Sequence, residues 1–165
     1  MEKIAVYAGS FDPITKGHLD IIKRSINLFD KVIVGVLNNS NKKYLFNLEE
    51  RKDLIRKSLL DTNILNKIEI DSFEGLLVDY MEKKQATIVI RGLRAVSDYE
   101  YELQLALTNN VITKTKIETI FLTASREHLY LSSSLVKEIA MNNGDISEFV
   151  SNNIIEDIKS KTNKK

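Results

Sequence analysis

Apolar positions in this chain fall into two alternating kinds of stretch. Short, nearly unbroken runs, "KIAVYA", "KVIVGVL", "KIEIDSF", "TIVI" and "ETIFLT", read as five strands. Continuous apolar runs are what parallel strands buried on both faces require. Between them the period changes: after the first run Leu19, Ile22, Ile26 and Phe29 recur at three- and four-residue steps, with Asp20, Lys23, Arg24 and Asn27 on the other side. That is the spacing of an amphipathic helix. Similar patterns predict helices near 47–60, 75–84, 98–113 and 133–142, the last closed by "NNGD", and a final one at about 152–161. Strands alternating with helices specify βαβ units, so the expected fold is α/β, one domain over 1–160 built on a five-stranded parallel sheet flanked by helices. The polar end, 161–165, is expected to fray.

Open sheets of this kind bind ligands beyond the carboxyl ends of their strands. The loops to read are therefore "GSFDPITKGH", "NNSNKK", "EGLL", "RGLRAVSDYEYE" and "ASREHLYLSSS", and four of the five carry basic side chains. The first lacks the Gly-Lys-Ser/Thr ending of a P-loop and the G-x-G-x-x-G spacing of a dinucleotide site. Gly9 gives a sharp exit from the strand, Asp12-Pro13 favours a turn, and Gly17 and His18 open the helix. Unpaired N–H groups and the helix dipole favour an anion there, His18 adds a directed donor, and Ser10 adds a hydroxyl. An ordinary capping or packing role for His18 stays open on residue chemistry alone.

Arg91 and Arg94 leave the fourth strand around Gly92, where their forked guanidinium groups suit phosphate oxygens. Surface ion pairs to Asp98 and Glu100 are the alternative, and Glu102 fits either a site or a surface. Ser132, Ser133 and Ser134 precede an apolar helical pattern; one serine suffices for a cap, and three with free amides make a second phosphate cradle, with Lys137 one turn in. Lys42 and Lys43 follow the second strand, a pair that by itself reads as a solvated loop.

Composition narrows the partners. Lysine and arginine total 24 against 23 acidic residues in 165, a net charge of +1 that supplies no global field for nucleic acid or an anionic membrane surface. Anion binding must be local. No cysteine is present, which excludes disulfides, thiolate metal sites and thiol nucleophiles and accords with a cytoplasmic location. No apolar stretch approaches the roughly 18 residues of a membrane span.

The residues then match a known pattern. "GSFDPITKGH" resembles the first signature of the nucleotidyltransferase superfamily with the T/H-x-G-H motif, and "LSSSLVKE" resembles its second. Through "DKVIVGV", "LEER" and above all "ATIVIRGLRAVSDYEYELQLA", the chain is most similar to the bacterial type of the phosphopantetheine adenylyltransferase family, over nearly its whole length. The resemblance implies a Rossmann-like fold, commonly assembled as a homohexamer, that transfers the adenylyl group of ATP to 4′-phosphopantetheine with Mg²⁺, giving dephospho-coenzyme A and pyrophosphate in coenzyme A biosynthesis. By that resemblance His18, Lys42 and Arg91 are catalytic. Ser10, Phe11, His18, Gly92, Leu93, Arg94 and Glu102 bind ATP, as do His128, Leu129, Tyr130, Leu131, Ser132, Ser133 and Ser134. Ser10, Lys42, Leu77 and Arg91 hold the acceptor. Two other readings stand beside it: a related transferase for another acceptor or nucleotide, such as nicotinamide mononucleotide or CTP, and a nucleotide-binding module without catalysis.

Overall fold

The computed structural model describes residues 2–163, with only the backbone of 96 and 97. The five apolar runs form strands β1 (Ile4–Gly9), β2 (Lys31–Leu37), β3 (Ile68–Phe73), β4 (Ile88–Leu93) and β5 (Glu118–Thr123), all parallel in one sheet of order β3-β2-β1-β4-β5. Burial on both faces explains their uninterrupted hydrophobicity. Ala5 and Tyr7 of β1 join one core with Val32, Val34 and Ile90, while Val6 and Ala8 join another with Ile33 and Val89.

The helices are α1 (Lys16–Ser25), α2 (Leu48–Leu59), α3 (Leu77–Lys83), α4 (Val96–Ile112), α5 (Ser133–Met141) and α6 (Ile155–Thr162). Ile22 of α1, Ile55 of α2, Val136 of α5 and Ile158 of α6 enter the first core; Val78 and Met81 of α3 enter the second. The tail expected to fray from 161 departs from that reading, because Lys161 and Thr162 still belong to α6 and Lys161 Nζ bonds Glu50 at 2.7 and 2.9 Å. Lys164 and Lys165 lie outside the described residues. Among the described residues no helix is long and apolar enough to cross a membrane.

Two details of register position the site. Chain order runs outward from β1 to β3, then returns across β1 to β4, so the strand order reverses between β1 and β4, the place where open α/β sheets form a ligand crevice. Moreover, β1 pairs with β2 from Ile4 to Gly9, yet with β4 only from Ala5 to Tyr7, opposite Ile88 to Ile90. Arg91, Gly92 and Leu93 stay in β4, paired with Phe121, Leu122 and Thr123 of β5, rather than forming the loop that their composition suggests. The two central strands thus part company after Tyr7 and Ile90.

Candidate active site

Local conformation follows from the residues after β1. Phe11 has φ of 48°, a left-handed backbone that folds its ring back over Gly9, where a Cβ would lie 3.0 Å from Phe11 Cζ. The ring, 2% exposed, meets Tyr7 edge-on at 5.4 Å and His18 at 5.1 Å. Asp12 does more than make a turn: its buried carboxylate accepts from the N–H groups of Leu45 and Phe46, both at 2.9 Å, and from Lys137 Nζ at 3.1 Å. Lys137, expected to add charge to the serine cradle, is committed to that ion pair instead.

Thr15 caps α1. Its hydroxyl accepts from the His18 N–H at 3.4 Å, and His18 Nδ1 accepts from the Thr15 N–H at 3.0 Å, a reciprocal capping box with histidine at the third helical position. A backbone N–H can only donate, so Nδ1 is the bare nitrogen and the neutral ring carries its proton on Nε2. Burial, with Arg94 second, lowers the His18 pKa from 6.5 to about 4. The imidazole is therefore neutral at physiological pH and lines a cavity of about 270 Å³. Capping and ligand binding, alternatives on sequence grounds, use different nitrogens of one ring.

At the end of β4 the guanidinium of Arg91 grips Glu102 through both Nε and Nη2, the latter 2.8 Å from Oε1, and Nη1 donates to the Ala8 carbonyl at 3.1 Å. Three of its five N–H groups are thereby used, leaving two for a ligand. Arg94 bonds Asp98 through Nε at 3.1 Å and the Leu131 carbonyl through Nη1 at 2.8 Å. The surface-pair alternative thus describes Arg94 and Asp98, whereas Arg91 chose the half-buried Glu102 one turn further along α4. Arg91, Gly92, Arg94 and Glu102 line the same cavity as His18.

The serines divide their labour. Ser132 Oγ accepts from the Leu135 N–H at 3.1 Å as the cap of α5, Ser133 Oγ donates to the Pro13 carbonyl at 2.7 Å, and Ser134 is exposed. Ser132 and Ser133 line the cavity, as do Phe11, His128 and Leu131; Leu93, Leu129, Tyr130 and Ser134 do not. Tyr130 is 74% exposed.

A second cavity of about 490 Å³ opens on the other side of Arg91 and Glu102, which line both. Ser10, Lys42 and Leu77 border this one. Lys42 is exposed and makes no side-chain hydrogen bond or ion pair among the described residues, so its ammonium is available; Lys43 lines neither cavity. Apolar surface from Phe73, Leu76 and Leu105, with Asn109 as a polar group, completes a pocket suited to a long, mostly uncharged molecule ending in an anion.

Sequence reasoning missed three residues here. Thr15 was signalled by the T-x-x-H spacing, a capping box with an unusual last member. Tyr7 was read as strand core only. Arg51, in the polar pattern of α2, is fully buried with no carboxylate partner among the described residues. Its Nη1 donates to the carbonyls of Ser10 at 2.8 Å and Leu37 at 2.9 Å, its Nη2 to Asn38 Oδ1 at 3.1 Å, and its guanidinium lies 3.9 Å from the centre of the Tyr44 ring. The planar fork thus ties the end of β1 to the end of β2, a task a lysine point charge cannot perform.

The geometry, two cavities sharing a cationic divider beside a helix start, can be set against known proteins. The cytidylyltransferase-like family profile matches residues 6–139. The chain is 51% identical over 162 residues to the phosphopantetheine adenylyltransferase of Clostridium tetani, covering 98% of this chain and 99% of the relative. It belongs to the phosphopantetheine adenylyltransferase family. The Nautilia profundicola member is 49% identical over 154 residues, covering 93% of this chain and 97% of the relative. Solved structures share the fold at lower identity. Plasmodium falciparum nicotinic acid mononucleotide adenylyltransferase complexed with APC superposes with a TM-score of 0.68 at 17% identity, covering 94% and 96% of the two chains. A bifunctional NMN adenylyltransferase/ADP ribose pyrophosphatase from Francisella tularensis gives 0.65 at 19%, covering 93% of this chain and 46% of that one. As a phosphopantetheine adenylyltransferase family member with a Rossmann-like fold, the chain carries His18, Arg91 and the serine-capped helix within the matched region.

Proposed function

We propose that this enzyme transfers the adenylyl group of ATP to 4′-phosphopantetheine, releasing pyrophosphate and dephospho-coenzyme A. The observation that carries the reading is the Arg91–Glu102 pair standing between the two cavities, with open N–H groups where a donor and an acceptor phosphate would meet. ATP occupies the cavity of His18, and the pantetheine arm lies along Leu77 and the apolar wall of the other. A phosphate oxygen of the acceptor attacks the α-phosphorus, a P–O bond forms, the bond to the bridging oxygen breaks, and the electron pair leaves with pyrophosphate.

No base is required, because a phosphate monoester with a second pKa near 6 is already ionised at neutral pH. A neutral imidazole is then the right tool: His18 donates from Nε2 to an α-phosphate oxygen and strengthens that bond as charge shifts. The larger obstacle is bringing two anions together, which Lys42 and Arg91 offset on the acceptor side, and Arg94 with the amino end of α5 on the pyrophosphate side. Among the described residues no group of three or more His, Cys, Asp or Glu stands together as a metal site. Mg²⁺ would arrive with ATP and would supply positive charge on the pyrophosphate side, beside Arg94 and the amino end of α5.

The protein would work in the cytoplasm as a homohexamer. Support for assembly comes from α4, where Leu107 and Val111 lie 58% and 83% exposed on an apolar groove; Val111→Glu should lower the mass measured by light scattering. The test of function is purified protein with ATP and 4′-phosphopantetheine. Pyrophosphate should appear in step with dephospho-coenzyme A, and nicotinamide mononucleotide should not replace the acceptor; no pyrophosphate, or release only with another acceptor, overturns the assignment.

A further inference from the structure

Tyr7 is a buried polar side chain that the reaction as described leaves idle. It is 6% exposed, it lines the cavity of His18, and its hydroxyl makes no hydrogen bond to any described residue. The hydroxyl lies beneath Gly92: a Cβ there would come 3.6 Å from it and 3.4 Å from Ile21 Cγ1. The absent side chain at 92 thus leaves open the space in front of the phenol. A hydroxyl that opens on the cavity from an otherwise buried ring, with no partner among the described residues, is placed to meet a ligand there.

The chemistry of the partner follows from the surroundings. Phosphate oxygens only accept, and the groups that suit them, Arg94 and the start of α5, carry free donors or positive charge. Tyr7 stands where Arg91, Arg94 and Glu102 all act on it, and burial raises its pKa, so it remains a neutral phenol that both donates and accepts. A sugar hydroxyl does the same, and a carboxylate such as Glu102 is a common second partner for ribose. We propose that Tyr7 is a further nucleotide-contacting residue, whose hydroxyl, with Glu102 beside it, reads a ribose hydroxyl of the nucleoside triphosphate and makes the enzyme sensitive to its loss. This rests on the reading of the cavity as the ATP site.

Tyr7→Phe tests it, because the ring contacts with Phe11 and His18 persist while one oxygen goes. Wild-type enzyme should use ATP about tenfold better, in kcat/KM, than 2′-deoxy-ATP or 3′-deoxy-ATP. The variant should lose about tenfold with ATP, bring that preference within about twofold, and keep its KM for 4′-phosphopantetheine. An unchanged preference, an equal loss with all three nucleotides, or a wild type indifferent to the deoxy analogues would overturn the proposal. If the wild type releases no pyrophosphate at all, the functional reading fails instead, and calorimetric binding of the three nucleotides to both proteins decides Tyr7 by the same ratios.

Discussion

At the start of α2 the Asn47 side chain accepts from the Glu50 N–H at 2.9 Å while the Glu50 carboxylate accepts from the Asn47 N–H at 2.7 Å. At the start of α1 Thr15 and His18 make the same exchange. The two ends differ in what the third residue has left over. Glu50 has only acceptor capacity, part of which goes to Lys161, so that box fastens helices together. His18 satisfies the backbone with Nδ1 and still holds a proton on Nε2, aimed from a fixed ring. A stabilising device thereby becomes a positioned donor, and cap energy holds the imidazole in place before any substrate arrives.

Removing the donor should separate the two ends most sharply. His18→Ala should lower kcat at least about a hundredfold while nucleotide binding, followed by calorimetry, changes little; unaltered turnover would remove Nε2 from the mechanism. Thr15→Ala keeps the backbone N–H that Nδ1 accepts from but removes the hydroxyl that caps the His18 N–H and touches Nδ1, and should lower kcat by about tenfold together with about 1 kcal/mol of stability in denaturant titrations. Stability lost with kcat intact would mean that the ring is held by other contacts. Acid should also distinguish them. Folded His18 has a pKa of about 4 against 6.5 for an ordinary histidine, so across that window the unfolded chain binds a proton that the native chain does not. Stability must therefore fall as pH drops through it, and the wild type should lose Tm faster than His18→Ala does; parallel curves would contradict the buried neutral ring. The smallest effect belongs to α2: Glu50→Ala should cost about 1 kcal/mol and leave kcat and both KM values alone.

Much of this was legible in the chain because period and hydrophobicity are local properties. All five strands and six helices fall where the spacing puts them, within a few residues. β4 ran longer than expected since Arg91 and Gly92 look like loop residues, and only their pairing with Phe121 and Leu122 of β5, continued past the end of the β1 pairing, keeps them in the sheet. His18, Lys42, Arg91 and the serines were visible as motifs. Their partners were not: whether Arg91 meets Glu100 or Glu102 depends on the rotation of α4 against β4, and whether Lys137 faces ligand or Asp12 depends on how α5 docks on the loop after β1. Arg51 was hidden for the same reason, because an arginine in a charged helical segment reads as solvated until carbonyls from two strand ends converge on it.

Asp12 has one last consequence. A single small anion fastens the segment at Leu45 and Phe46 and the second turn of α5 to the same point, and α5 in turn brings Ser133 to the wall of the His18 cavity. Such a short tether leaves no slack, so the start of α5 and the stretch before α2 keep their places against the loop after β1 as one unit.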